Sequence, residues 1–433
     1  MKSPRLIFYG WFIVVIGIVS YTIGYGARYS FSVIFPSLLD TFHWPRDTTA
    51  LILSVHMLVY GFVAPISGKL IDQIGPRKTM VFGTLLLSLG LALSGWANSP
   101  WHFYFTFGLL SGAGLCLIGA VPFTIVLRNW FEAKRGLAYS LLFIGAGSAF
   151  AWYPVIAYLI NRWGWRYTFM VEAVVIPILM LPLILFIVRY HPRQKGLFSD
   201  GMIEAVENPS SPMKGKGHIV DPKWAAVEWT LKKAFKTGRF WLVCLSTFSL
   251  WGIMEHIMVA HHVAFAIDIG FTKIYASSVL SLFGICFALG SLSAFISDRI
   301  GRELTMTLGT ILGVSGILVL IFLKDTFHPW ILYYYALSFG LGLGLTTPTI
   351  AATATDIFQG PRVGATIGFV WFSFAVGGCI GPWLGGWLFE LFHNYRGAFL
   401  VAVSWYVMAC LAIWFAAPRK VRLVPGRVRS GGV

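Results

Sequence analysis

Twelve long apolar stretches divide this chain, near residues 8–37, 48–68, 79–97, 102–128, 136–160, 167–189, 240–263, 274–297, 304–323, 329–354, 363–390 and 395–417. At about 1.5 Å per residue, each is long enough as a helix to cross about 30 Å of hydrocarbon. The pattern predicts an all-α membrane protein with twelve transmembrane helices. Composition agrees, since 12% of the residues are charged where a soluble domain carries about a quarter. The 18 Trp and 17 Tyr suit a protein with many helix ends to anchor at the membrane interface. The first run follows Lys2 and Arg5 and continues to about Ser37, too long for a cleaved signal peptide.

The net charge of +16 does not point to nucleic acid, because the bases sit in short loops between apolar runs. With the first helix running outward, Arg46, Arg162, Arg166, Lys273, Lys324 and Arg396 fall outside and Arg28 lies within the first run. The other bases are then cytoplasmic. This asymmetry predicts a multi-pass protein of the cell's inner (plasma) membrane with both termini in the cytoplasm.

One long polar segment, about 190–239, interrupts the series and carries Pro-Ser-Ser-Pro at 209–212. The expected organisation is a six-helix bundle over 1–190, a cytoplasmic linker over 191–239, a second six-helix bundle over 240–417 and a tail over 418–433. Most of the linker is expected to be mobile. Its end, Trp224 to Lys236, mixes Trp224, Val227, Leu231 and Phe235 with Lys232, Lys233 and Lys236, and reads as a short amphipathic helix on the membrane surface. The halves also repeat. Asp72 matches Asp298, Arg135 matches Arg362 and Arg166 matches Arg396 at a nearly constant separation. Such a repeat predicts two pseudo-symmetric six-helix bundles related by an axis along the membrane normal, with a substrate site between them near the midplane.

The charged hinge Gly68-Lys-Leu-Ile-Asp-Gln-Ile-Gly-Pro-Arg-Lys-Thr79 lies between the second and third runs. Gly75 and Pro76 favour a tight turn. Gly68 permits close helix contact, Asp72 can meet the positive N-terminus of another helix, and Arg77 and Lys78 suit the aqueous face. A weaker copy carries Asp298, Arg299, Gly301 and Arg302, with Ala294 in place of the first glycine. This G-x-L-x-D-x-x-G-x-R-K pattern resembles the loop between helices two and three of the major facilitator superfamily. The resemblance implies a carrier whose two bundles rock about a central site.

Arg28 is the foremost candidate for that site. Helical spacing puts Tyr21, Gly24, Tyr25, Arg28 and Ser32 on one stripe. A charge at the bilayer centre is costly, so the stripe is expected to face a wet cavity, with the guanidinium gripping a carboxylate. A structural pair with Glu172, or snorkelling to the interface, is the alternative. In the seventh run Glu255 and His256 follow Trp251, with His262 about two turns on; Glu172 lies in the sixth run and His56 in the second. A carboxyl in a poorly hydrated site suits proton uptake and release, and histidine could relay. Equally, these groups could be satisfied hydrogen-bonding residues at irregular helix ends. The five Cys lie inside apolar segments without metal-ligand spacing, and the glycine clusters lack the strand and lysine of a phosphate site. No cofactor is expected.

Trp130-Phe-Glu-Ala-Lys-Arg-Gly-Leu-Ala138, followed by Gly145, is similar to the loop and fifth helix of monocarboxylate transporters. Tyr9-Gly-Trp11 is similar to the bacterial form of that family's first-helix motif, and the oxalate:formate exchangers share much of this. The likeness implies a carrier of a small organic anion, coupled to protons or to a counter-anion, working as a monomer. The family's eighth-helix arginine has no counterpart in Ser278–Ser293; Arg28 would take over the anion. Two other readings remain: an efflux carrier for apolar or cationic compounds, and a membrane sensor with the carrier fold. No nucleophile–base set or metal cluster can be assembled for an enzyme.

Overall fold

The computed structural model describes residues 8–131, 135–200, 218–292, 295–358 and 364–423. Twelve rods run back and forth through it. They are α1 (Gly10–Phe42), α2 (Arg46–Ile74), α3 (Pro76–Ser94), α4 (Pro100–Trp130), α5 (135–163), α6 (165–186) and α7 (Gly238–Ile269). The series continues with α8 (Lys273–Leu292, extended by Phe295–Ile300), α9 (Arg302–Leu320), α10 (Trp330–Ile357), α11 (Gly364–Phe392) and α12 (Arg396–Ala416). Among the described residues, 9 stretches are long and apolar enough to cross a membrane. One of them, Leu141–Phe186, folds back at Gly164, where φ is +83°, and supplies two rods. Pro76–Ser94 and Trp330–Ile357 complete the twelve.

The internal repeat is visible in the turns. Gly75 (φ +82°) ends α2 and Gly301 (φ +100°) ends α8, each in a conformation that side chains with a Cβ avoid. Both follow the matched acids Asp72 and Asp298 by three residues. Packing repeats too. A Cβ on Gly114 of α4 would lie 2.7 Å from the carbonyl oxygen of Gly83 in α3, and one on Gly342 of α10 would strike the carbonyl of Gly309 in α9. Without a side chain at these points, two backbones touch, which is how membrane helices gain dispersion contact.

Helices α1–α6 form one bundle and α7–α12 the other. The seam between them is made by α2 against α11, α5 against α8, and α1 against α7. Two rods contain π-helical turns, Tyr104–Ser111 in α4 and Phe248–Met254 in α7. The second lies immediately before Glu255 and reorients the side chains around it; such turns often mark functional sites.

The segment that reads as one amphipathic helix over 224–236 is instead two short helices, Pro222–Ala225 and Leu231–Ala234. Asp221 and Thr230 each cap a new start through the side chain. Trp224, Trp229, Leu231 and Phe235 pack onto Phe240, Ile357, Phe358 and Val370, so the apolar face covers the second bundle. Residues His218–Ile219 also pair antiparallel with Arg422–Leu423 beyond α12. Most of the remaining linker, 201–217, and the tail beyond 423 lie outside the described residues, as do Ala294 and Arg362.

Candidate functional site

Arg28 lies in the middle of α1 with 0% of its surface exposed. Among the described residues, none offers a hydrogen-bond partner to any of its three guanidinium nitrogens. The group sits over two aromatic faces, 4.8 Å from the ring centroid of Tyr25 and 4.4 Å from that of Tyr60 on α2. Ring faces attract a cation but leave its N–H groups unused. The expected stripe is present: Tyr21 stacks on Tyr25 with centroids 5.0 Å apart, and Ser32 is buried. In this conformation the bundles close over the guanidinium, and the expected wet cavity does not reach it.

Across the seam, the Tyr29 hydroxyl donates to Glu255 Oε1 at 3.3 Å, joining α1 to α7. His256 lies 6.0 Å, centroid to centroid, from the same Tyr29 ring. Trp251 is not beside Arg28. Its ring stacks on Trp371 of α11 at 4.7 Å and its indole N–H reaches Thr347 Oγ1 at 3.0 Å. Trp371 in turn stacks on Phe143 of α5 at 6.0 Å, a second aromatic bridge across the seam. Glu172 is held by Ser30 at 3.3 Å inside the first bundle. Glu172 and Glu255, grouped by their chemistry in the sequence, lie apart: Glu172 within the first bundle and Glu255 at the seam. Tyr60, Tyr29 and Thr347 carry no signal in the sequence, because aromatic and hydroxyl residues are common in apolar runs.

The hinge residues are arranged differently from expectation. A Cβ on Gly68 would meet nothing within 4 Å, so no helix presses against it. Asp72 accepts a hydrogen bond from the Tyr190 hydroxyl at 3.5 Å rather than meeting a helix N-terminus. Burial and the Asp72 carboxylate both raise the pKa of that phenol. Arg77 turns back to donate to the Val188 carbonyl at 2.6 Å, two residues beyond α6, while Lys78 is exposed. In the second copy Arg302 bridges Asp298 and Asp356, each at 2.8 Å, and bonds Ser297; Arg299 is exposed.

On the face away from the chain ends, the bundles are tied by Arg46 at the start of α2. Its backbone N–H donates to Glu390 at 2.7 Å, and its guanidinium donates to Asp268 at 2.9 Å and to the Tyr395 hydroxyl at 2.6 Å. Lys273 adds a bond to Ser37 Oγ at 2.6 Å. Glu390, Asp268 and Tyr395 all belong to the second half, so the backbone and side chain of one residue, Arg46, hold this face shut. Arg46→Ala removes the ionic part of the clasp, and charge-assisted bonds contribute about 1.5–3 kcal/mol each. With Ser37→Cys as a reporter, the variant is expected to react with an impermeant maleimide about tenfold faster. An unchanged rate would show that Arg46 does not hold the face closed.

Two like bundles, a seam of facing helices and a polar centre enclosed at that seam define a membrane carrier. The family model for the Major Facilitator Superfamily matches residues 17–382 and 264–431, and the chain belongs to that superfamily. It is 27% identical to Monocarboxylate transporter 13 of Rattus norvegicus over 402 residues, 91% of this chain and 86% of the relative. It is 25% identical over 409 residues to the uncharacterized MFS-type transporter YcxA of Bacillus subtilis (strain 168), 91% of each chain. The solved D-xylose-proton symporter shares the fold, with a TM-score of 0.72 at 15% identity over 97% of this chain and 99% of that one. The expected superfamily and the likeness to monocarboxylate transporters are thereby borne out. The protein is a multi-pass membrane transporter and not an enzyme.

Proposed function

We propose that the protein is a secondary carrier of a small monocarboxylate-like organic anion, working by alternating access. The observation that carries this reading is Arg28: a buried guanidinium at the seam, resting on two rings, with no acid bonded to it. The five N–H donors of such a group suit a carboxylate held bidentately. In this reading Glu255, tied through Tyr29 to the helix that carries Arg28, exchanges a proton as the seam opens. A proton symport or an anion exchange follows according to whether that proton or a second anion returns the carrier. The excess of Lys and Arg at the chain-end face supports an orientation with both termini in the cytoplasm. The Arg46 clasp then closes the outer face. One chain supplies both bundles and the whole site, so a monomer suffices.

Purified protein in proteoliposomes is expected to accumulate a labelled monocarboxylate when the outside is made acidic, or when the vesicles are preloaded with unlabelled anion. Uptake should saturate. Failure under both regimes, across a panel of monocarboxylates, would refute the reading. The Phe143–Trp371–Trp251 stack and Glu255 support a second reading, export of an apolar cation. Competition by a lipophilic cation, with none by carboxylates, would select it.

A further inference from the structure

Two buried histidines flank Arg28, and neither takes part in the carrier scheme above. His56 of α2 lies one helical turn from Tyr60, the ring beneath the guanidinium. His256 of α7 follows Glu255 and packs against Tyr29. Both have 0% of their surface exposed, and both are within electrostatic reach of Arg28 and of one another across the seam.

Their hydrogen bonds determine which ring nitrogen carries the proton. His56 Nδ1 lies 3.0 Å from the Phe107 carbonyl oxygen, and His256 Nδ1 lies 2.8 Å from that of Trp251. A carbonyl oxygen only accepts, so in each ring Nδ1 is the N–H. A neutral imidazole has a single N–H, and its Nε2 then holds a bare lone pair. His56 Nε2 and His256 Nε2 are both buried without a partner. Buried acceptors left open are costly, at about 1–3 kcal/mol each, and each such group in a native fold calls for an explanation. Beside the anion-seeking guanidinium, the seam thus holds two acceptors that no group among the described residues satisfies.

We infer that His56 and His256 are specificity residues that accept a hydrogen bond from an O–H or N–H on the transported acid, while Arg28 holds its carboxylate. The inference rests on the anion-carrier reading and narrows it to acids bearing a donor near the carboxylate. A site built to bond a donor discriminates against the analogue lacking it, because its own acceptors are then left unpaired. A keto acid offers another acceptor and fits no better than the unsubstituted acid.

The test uses the full chain in proteoliposomes with two pairs of acids of matched shape, lactate with propionate and phenyllactate with hydrocinnamate. The hydroxy acid of at least one pair is expected to be taken up about tenfold faster than its partner, the effect of one well-made hydrogen bond. In His56→Phe and His256→Phe, singly and combined, that ratio should fall toward one, and Gln, whose side-chain carbonyl accepts, should restore part of it. Reading a ratio cancels any loss of folded protein. Equal uptake within both pairs would overturn the inference while leaving Arg28 as the anion site. A hydroxyl preference unchanged in the variants would also overturn it. No uptake of any of the four acids, with folded protein present, would overturn it together with the reading on which it rests.

Discussion

Arg28→Gln is expected to abolish anion uptake without loss of folded protein. A bidentate carboxylate bond to a guanidinium comprises two charge-assisted hydrogen bonds of about 1.5–3 kcal/mol each, so binding should weaken by about 100-fold or more. Stability should behave differently. A charge in the middle of a membrane helix costs about 2.5–3.5 kcal/mol. The two ring contacts, at about 2 kcal/mol each when desolvated, nearly cancel that cost. Removing the charge therefore loses the attraction and the penalty together, and the unfolding temperature of the substrate-free protein should hardly move. Were Arg28 part of a structural ion pair, deleting it would strand a buried acid and lower stability by about 3–5 kcal/mol. Thermal unfolding in detergent, measured beside uptake, separates the two. Normal uptake by the variant would exclude Arg28 as the anion site.

Gly284→Leu is expected to stop transport for a different reason. Gly284 of α8 faces Gly147 of α5, and a Cβ on Gly147 would lie 2.8 Å from the Gly284 carbonyl oxygen. A Cβ on Gly284 would strike the Gly147 carbonyl and lie 2.5 Å from Phe150 Cβ. Ser281 Oγ bonds the Phe150 carbonyl at 2.7 Å one turn away, so this is a point of tight backbone contact between the bundles. Overpacking costs about 1–3 kcal/mol, a penalty that falls on conformations with α5 and α8 together and spares those with them apart. The populations should shift by about tenfold to 100-fold away from the closed seam. Uptake should drop at least tenfold, because a carrier held in one state does not cycle. Gly284→Ala should show a milder defect. If Gly284→Leu transports normally, α5 and α8 do not need this close approach.

The twelve spans were legible because length and apolarity are local properties, and the repeat because it preserves matched acids and glycines. Arg28 was legible for the same reason: a lone base inside an apolar run is conspicuous. What surrounds it was not. Tyr60 approaches Arg28 only once α2 packs on α1, and Glu255 and His256 only after helices far apart in the chain have docked; nothing in their own neighbourhoods records that. The two acids illustrate the limit. Ser30 holds Glu172 and Tyr29 holds Glu255. Neighbours on one helix point about 100° apart, so consecutive residues of α1 reach opposite sides of the bundle seam. Trp251 carried no mark that it would turn to Trp371 instead of Arg28. The hinge was recognised as a motif, but its contacts belong to a particular state of the carrier, and sequence does not specify a state.

The short ribbon joining His218–Ile219 to Arg422–Leu423 changes where the molecule flexes. Together with the tryptophans and phenylalanines beneath it, the ribbon makes residues 218–237 cargo of the second bundle rather than slack rope between the two. Relative motion of the two bundles therefore leaves residues 218–237 fixed to the second. A probe attached at Leu423 would ride with the second body and report its tilt faithfully.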